Sequence, residues 1–244
     1  RFEAMKPDLA VVVAFGRILP PELLKVPRLG CVNVHASLLP KYRGAAPIQW
    51  AVINGEKESG VTTFFISHEI DTGNIIYQKK VSIAENETAG ELHDELAETG
   101  AELLLKTVND IRNGNVKAIP QNELIKQQTE LRHAPKIFKD DCRINWGAHA
   151  DEIHNHIRGL FPYPAAFTNI YLSGNETQLK IYRTSVSGGE GKPGEIETDN
   201  KYSLKIYCGS GSVLVEELQL AGKKKMKVDE FLRGTKISAG SFCQ

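Results

Sequence analysis

The run from Cys31 to Gly73 limits what this chain can fold into more than any other. It opens with Cys31–His35, valine-rich and too short for a helix, which reads as a strand carrying Asn33 and His35 near its end. Ser37, Leu38, Leu39 and Pro40 form a turn, followed by the basic loop Lys41, Tyr42, Arg43, Gly44. Pro47 predicts a helix over 46–54, stopped by Asn54 and Gly55. A second strand over 61–67 leads to Asp71 on a Thr72-Gly73 turn. Upstream, residues 9–15 are wholly apolar and β-branched, the pattern of a strand covered on both faces. Downstream, an alternating strand over 75–83 precedes a capping box, Thr88 and Glu91, for a long amphipathic helix ended by Gly114. That helix would turn Leu92, Leu96, Leu103 and Leu104 to the core. Strands alternating with helices predict a parallel or mixed sheet in an α/β layer fold. In such sheets ligands bind beyond the carboxyl ends of strands, where Asn33, His35 and Asp71 are expected together.

The character changes further on. A helix around Ile153, Ile157 and Leu160 stops at Phe161, Pro162, Tyr163 and Pro164. Short strands are then predicted over 167–172, 178–186, 194–197, 203–208 and 212–220, divided by glycine-rich turns. This spacing suggests a small β-barrel of OB-like type. The expected domains are 1–125, a linker over 126–140, and 141–244.

Charge is balanced, with 30 basic and 30 acidic residues, so it excludes neither class of partner globally. Residues 1–130 hold 14 basic and 17 acidic side chains, which leaves the back half slightly positive and compatible with an anionic partner. Four cysteines without a CxxC pair suggest reduced thiols in a cytoplasmic protein. No run has membrane-spanning length, and no signal-peptide layout is present. A chain that begins at Arg1 and soon enters a strand suggests that the start of a longer protein is absent.

Asn33 and His35 are two apart on a strand and so share a face. An imidazole beside an amide donor can move a proton and polarise a carbonyl. The same pair also fits a core histidine satisfied by a carboxylate. Asp71 before a glycine turn has an equally plain structural reading, or it orients His35. Ser37 lacks the GxSxG surroundings of a nucleophile. His154 and His156 face different ways on a helix and do not make a metal pair, whereas His93, His133 and His149 read as surface residues. No metal is implied, and no glycine-rich phosphate cradle is present. Lys223, Lys224, Lys225 and Lys227 form either a solvated face or a contact to a phosphate backbone.

These motifs carry a resemblance. Asn33, His35 and the Ser37–Pro40 turn, then Asp71 and Gly73, resemble the folate-dependent formyltransferases. The continuation from Tyr42 to Gln49, with Gly222, Lys223, Lys224 and Phe231 to Gly234, is similar to the members that act on methionine-charged initiator tRNA. The resemblance implies a Rossmann-like catalytic domain, incomplete at its start, followed by an OB-like domain that helps bind tRNA. It implies 10-formyltetrahydrofolate as formyl donor, and Asn33, His35 and Asp71 as the catalytic trio. It also implies a folate pocket lined by Arg17, Ile18, Leu19, Ser37, Leu38, Leu39, Pro40, Ser67, His68, Glu69 and Ile70. Arg43 and the four lysines are expected at the tRNA. A nucleotide-sugar amine as acceptor, or a binding protein without turnover, are the alternatives.

Overall fold

The computed structural model describes residues 2–125, 131–172, 174–238 and 240–244. Residues 126–130 of the expected linker lie outside them. The chain forms two compact units. The first comprises residues 1–50, 57–84 and 91–136; the second comprises 51–56, 85–90 and 137–244.

In chain order the first elements are β1 (Ala10–Val13), α1 (Pro21–Leu24), β2 (Cys31–His35), β3 (Arg43–Gly44), α2 (Pro47–Ile53), β4 (Glu58–Phe65), β5 (Ile75–Ser82), α3 (Ala89–Arg112), α4 (Gln121–Ile125) and β6 (His133–Ala134). The main sheet of the first unit has the order β1-β2-β4-β5. Only β1 and β2 are parallel; β4 runs antiparallel to both β2 and β5. The sheet is therefore mixed. Its alternation assigns the two faces. Val34 and Val61 lie against Gly100 of α3, and Thr63 meets Thr107 at 2.9 Å between their hydroxyls. The opposite face carries Asn33, His35, Thr62 and Phe64, with Leu39, Phe64 and Ile75 forming a small buried cluster. Fully burying a side chain such as Phe64 contributes about 1.5–3 kcal/mol. The site face is thus pinned to apolar packing.

The strand expected over 9–15 is shorter, and it is not covered on both faces. Among the described residues β1 pairs with β2 alone, and Val11 and Val13 are 43% and 58% exposed.

The second unit contains a short 3₁₀ turn at Asp140–Cys142, then α5 (Ala150–Gly159), β7 (Ala166–Leu172), β8 (Asn175–Ser187), β9 (Ile196–Thr198), β10 (Leu204–Tyr207), β11 (Ser212–Leu220), β12 (Met226–Lys227) and α6 (Val228–Gly234). These strands form one antiparallel sheet in the order β7-β8-β11-β10-β9, with β12 added to β11. Residues 241–244 join its two edges. Asn169 and Gln244 exchange both backbone hydrogen bonds beside β7, while Cys243 donates to Gly194 and Ile196 donates to Ser241 beside β9. The sheet is thereby curled towards closure around a core that includes Ile157, Leu160, Ile170, Ile181, Ile206 and Leu218. All four cysteines are free and buried, and burial pushes the Cys208 and Cys243 thiols up to about 11 and about 12. Among the described residues, no helix is long and apolar enough to cross a membrane.

Candidate active site

His35 ends β2 and is 6% exposed. Its Nε2 lies 2.9 Å from the Tyr42 carbonyl oxygen, which can only accept, so Nε2 carries the hydrogen and donates it. Tyr42 holds that carbonyl in place from a left-handed conformation, φ +59°, uncommon for a bulky side chain and worth about 1–3 kcal/mol of strain. Its own N–H donates to the Arg132 carbonyl at 2.6 Å. With Nε2 engaged, Nδ1 is the nitrogen left to take or release a proton. It faces Asp71 Oδ2 at 3.7 Å, an ion-pair approach longer than a direct hydrogen bond. The Phe64 ring stands edge-on to the imidazole, 6.5 Å between centroids.

Asp71 reaches this position indirectly. Because β4 is antiparallel to β2, its last residue Phe65 pairs with Val32, three residues before His35. The connection to β5 therefore starts away from the imidazole and folds back along the strands. The expectation that two strands deliver the trio at one sheet end is corrected on this point: His35 comes from a strand end, Asp71 from a returning loop. Asp71 itself is left-handed, φ +54°, which an aspartate tolerates better than most residues. Gly73 follows because a Cβ there would stand 1.6 Å from the Phe65 carbonyl oxygen. Asp71 Oδ2 accepts the Gly44 N–H at 3.0 Å. Gly44 is required as well, since a Cβ would lie 2.3 Å from the Ala134 carbonyl oxygen across the β3–β6 pair.

A buried amide sits behind this loop. Gln121, 2% exposed, donates from Nε2 to the carbonyl oxygens of Asp71 and Gly73, both at 2.8 Å. Its Oε1 accepts from Arg43 Nε at 3.0 Å and Nη2 at 2.6 Å. Burial pulls the Arg43 guanidinium below the usual arginine range, while the carboxylates of Asp71 and Glu69 oppose that shift.

The Ser37–Pro40 turn has its own supports. Ser37 Oγ donates to the Lys41 carbonyl at 2.7 Å, which occupies the hydroxyl structurally. Thr62 Oγ1 donates to the Ser37 carbonyl at 2.6 Å and receives the Leu39 N–H at 3.1 Å. Gln78 Nε2 donates to the Leu39 carbonyl at 2.8 Å. Ser37, Leu39 and Pro40 are buried and Leu38 half-buried.

Asn33 is half-buried on the same face as His35, and among the described residues its carboxamide has no internal hydrogen-bond partner. Arg17 and Ile18 are exposed and Leu19 half-buried. Ser67, His68, Glu69 and Ile70 are exposed on the loop that carries Asp71; Ser67 meets the Thr72 hydroxyl at 2.9 Å, and Thr72 donates to the Glu69 carbonyl. In the second unit, Lys223, Lys224, Lys225 and Lys227 are exposed. Lys225 is the engaged one, bonded to Glu217 at 2.9 Å and lying over the rings of Phe161 and Tyr182. Sequence reasoning missed the Tyr42 carbonyl, the Gly44 amide, Thr62, Gln78 and Gln121. Backbone groups carry no residue-type signal, and Gln121 is fifty positions from the loop it holds.

Comparisons with known proteins agree with this architecture. Residues 1–108 match the family described as formyl transferase, and residues 136–236 match its C-terminal domain. A methionyl-tRNA formyltransferase of Phocaeicola vulgatus is 52% identical over 234 residues, covering 95% of this chain and 72% of that protein. Another of the same name from Parabacteroides distasonis is 48% identical over 236 residues, covering 96% and 72%. Among solved structures, HypX from Aquifex aeolicus in complex with tetrahydrofolic acid shares the fold, with a TM-score of 0.67 at 23% identity over 96% of this chain and 40% of that one. An N-formyltransferase from Helicobacter canadensis, in complex with folinic acid and dTDP-3-aminofucose, gives 0.63 at 28% identity, covering 82% and 70%. With both domains matched and half the residues shared with such relatives, the chain belongs to the formyl transferase family.

Proposed function

We propose that the chain transfers the formyl group of 10-formyltetrahydrofolate to the α-amino group of methionine on initiator tRNA. The observation that carries this reading is a half-buried carboxamide without an internal partner, Asn33, on the same sheet face as the His35–Asp71 pair. Relatives that are about half identical, and of whose length the chain covers 72%, bear the corresponding name. The reaction places the protein with translation, in the cytoplasm.

The donor supplies the one-carbon unit as a formamide. Attack by the amine builds negative charge on the formyl oxygen, and Asn33 is the donor left free to meet it. Removing such a donor typically costs about 3 kcal/mol of transition-state stabilisation. The attacking nitrogen must lose one proton and the leaving nitrogen must gain one. His35 Nδ1 is the position that can hold that proton, because Nε2 is committed to Tyr42. Asp71 faces Nδ1 at 3.7 Å and holds the imidazole's orientation. The buried cluster of Leu39, Phe64 and Ile75 backs the imidazole with apolar packing. The Ser37–Pro40 turn and the loops at 17–19 and 67–70 are read as the folate pocket. Lys223, Lys224 and Lys227, with Lys225 in support, are read as phosphate contacts on the second unit.

The test is transfer of label from 10-formyltetrahydrofolate to methionine-charged initiator tRNA, with a dTDP-amino sugar as competitor. Transfer to tRNA that weakens as salt rises, with Lys223→Ala plus Lys224→Ala raising the KM for tRNA several-fold, is the expected outcome. Transfer to the sugar alone would overturn the acceptor, and no transfer to either would overturn the reading.

A further inference from the structure

Gln121 lies outside any part assigned to substrate, yet it is the most completely engaged polar side chain near the site. A glutamine side chain offers two N–H donors and an oxygen with two acceptor positions. At Gln121 all four are used: both donors on carbonyls of the Asp71 loop, both acceptor positions by one guanidinium. Burying a polar group so deeply is costly unless each hydrogen bond is made, and here each is made. The two carbonyls it clamps are those of Asp71 and Gly73, on either side of Thr72. They flank the turn in which Asp71 adopts φ +54° and Gly73 packs against the Phe65 backbone. Without this clamp the carboxylate keeps the Gly44 N–H, but its own main chain loses the two hydrogen bonds that anchor it from behind.

Arg43 completes the arrangement. It is the residue between Tyr42, which fixes His35 Nε2, and Gly44, which fixes Asp71 Oδ2. Its fork on Gln121 ties the segment that grips both catalytic side chains to the amide that grips the Asp71 loop. The geometry points to Gln121 and Arg43 as positioning residues for formyl transfer, setting the distance from the Asp71 carboxylate to His35 Nδ1 without touching substrate. On this assignment Arg43 acts on turnover and not on tRNA affinity. The inference rests on the formyl-transfer reading, but its spectroscopic arm does not depend on activity.

Gln121→Glu keeps an acceptor for Arg43 and removes the donors to both carbonyls; Gln121→Ala removes everything; Arg43→Ala removes the fork. In the full chain, each is expected to lower kcat by about 10- to 100-fold, the scale for an ångström of misplacement. The KM values for tRNA and folate should stay within about threefold on the same principle. With histidine-selective ¹⁵N labelling, the His35 ring resonances should move in Gln121→Glu towards their positions in Asp71→Asn, and Gln121→Glu should add no further movement to Asp71→Asn. Thermal midpoints identify a variant that has merely unfolded, in which case Gln121→Glu and Arg43→Lys replace the alanine forms. Unmoved His35 resonances in a folded Gln121→Glu protein would overturn the assignment. So would a rise in KM for tRNA at constant kcat in Arg43→Ala. Wild-type protein lacking formyl transfer, with the resonance shifts intact, would instead remove the function while leaving the positioning contacts.

Discussion

The two units solve opposite problems with similar materials. In the second, apolar side chains from α5, α6 and the strands of its sheet meet in one continuous core, and the sheet is drawn towards closure by residues 241–244. In the first, the site face combines a small apolar cluster with buried polar groups, whose partners are chiefly backbone atoms from loops. Stability is concentrated where packing is continuous. Chemistry is concentrated where polar groups are fixed but not all satisfied internally. Substitutions in the two regions should therefore separate turnover from folding.

The largest effect should come from His35→Ala, which removes the ring nitrogen that faces Asp71 and can hold the proton. Turnover is expected to fall about 10³-fold, within the range for general acid–base catalysis, while the thermal midpoint changes by a few degrees at most. Single-turnover assays beside a melting curve check both halves; a collapse of the fold would erase the contrast between the units. Asn33→Ala should come next, at about 3 kcal/mol of transition-state stabilisation, with folate affinity nearly unchanged in equilibrium binding. Leu218→Ala, in the second unit's core, should show the reverse pattern. A fully buried leucine truncated to alanine costs about 2–5 kcal/mol, so urea unfolding should shift while kcat per folded molecule holds.

The smallest effect concerns pH. Burial pushes the imidazoles of His154 and His156 below the usual histidine range, and the Arg158 charge adds to the effect on His154. Both are then neutral in the folded state, whereas the unfolded chain takes up protons near pH 6.5. Their contribution is full above that value and declines as pH falls towards the lower folded pKa. Melting curves between pH 7.5 and about 5 should show the decline, and His154→Gln should flatten it. An unchanged slope would mean that the second unit's polar groups are as tolerant as its apolar ones.

Much of this was legible before any coordinates. The valine-rich strand, the proline-started helix and the leucine periodicity of α3 are local patterns, and each element lies within a few residues of its expected place. The approach of His35 to Asp71 was expected from the resemblance, since by themselves both residues kept plain structural readings. Strand direction was not. β4 is buried on both faces along most of its length, a pattern that parallel and antiparallel neighbours satisfy equally, so the returning path of the Asp71 loop could not be foreseen. Gln121 was unreadable for a related reason: one glutamine in a polar stretch looks solvated until long-range contacts enclose it.

The Tyr42 carbonyl and the Gly44 amide sit two residues apart, one grasping the imidazole and the other the carboxylate. That short segment behaves like the fixed jaws of a caliper. If an incoming acceptor pushes it bodily, both catalytic groups travel together and their spacing survives. Only a twist between its two peptide planes would open the gap.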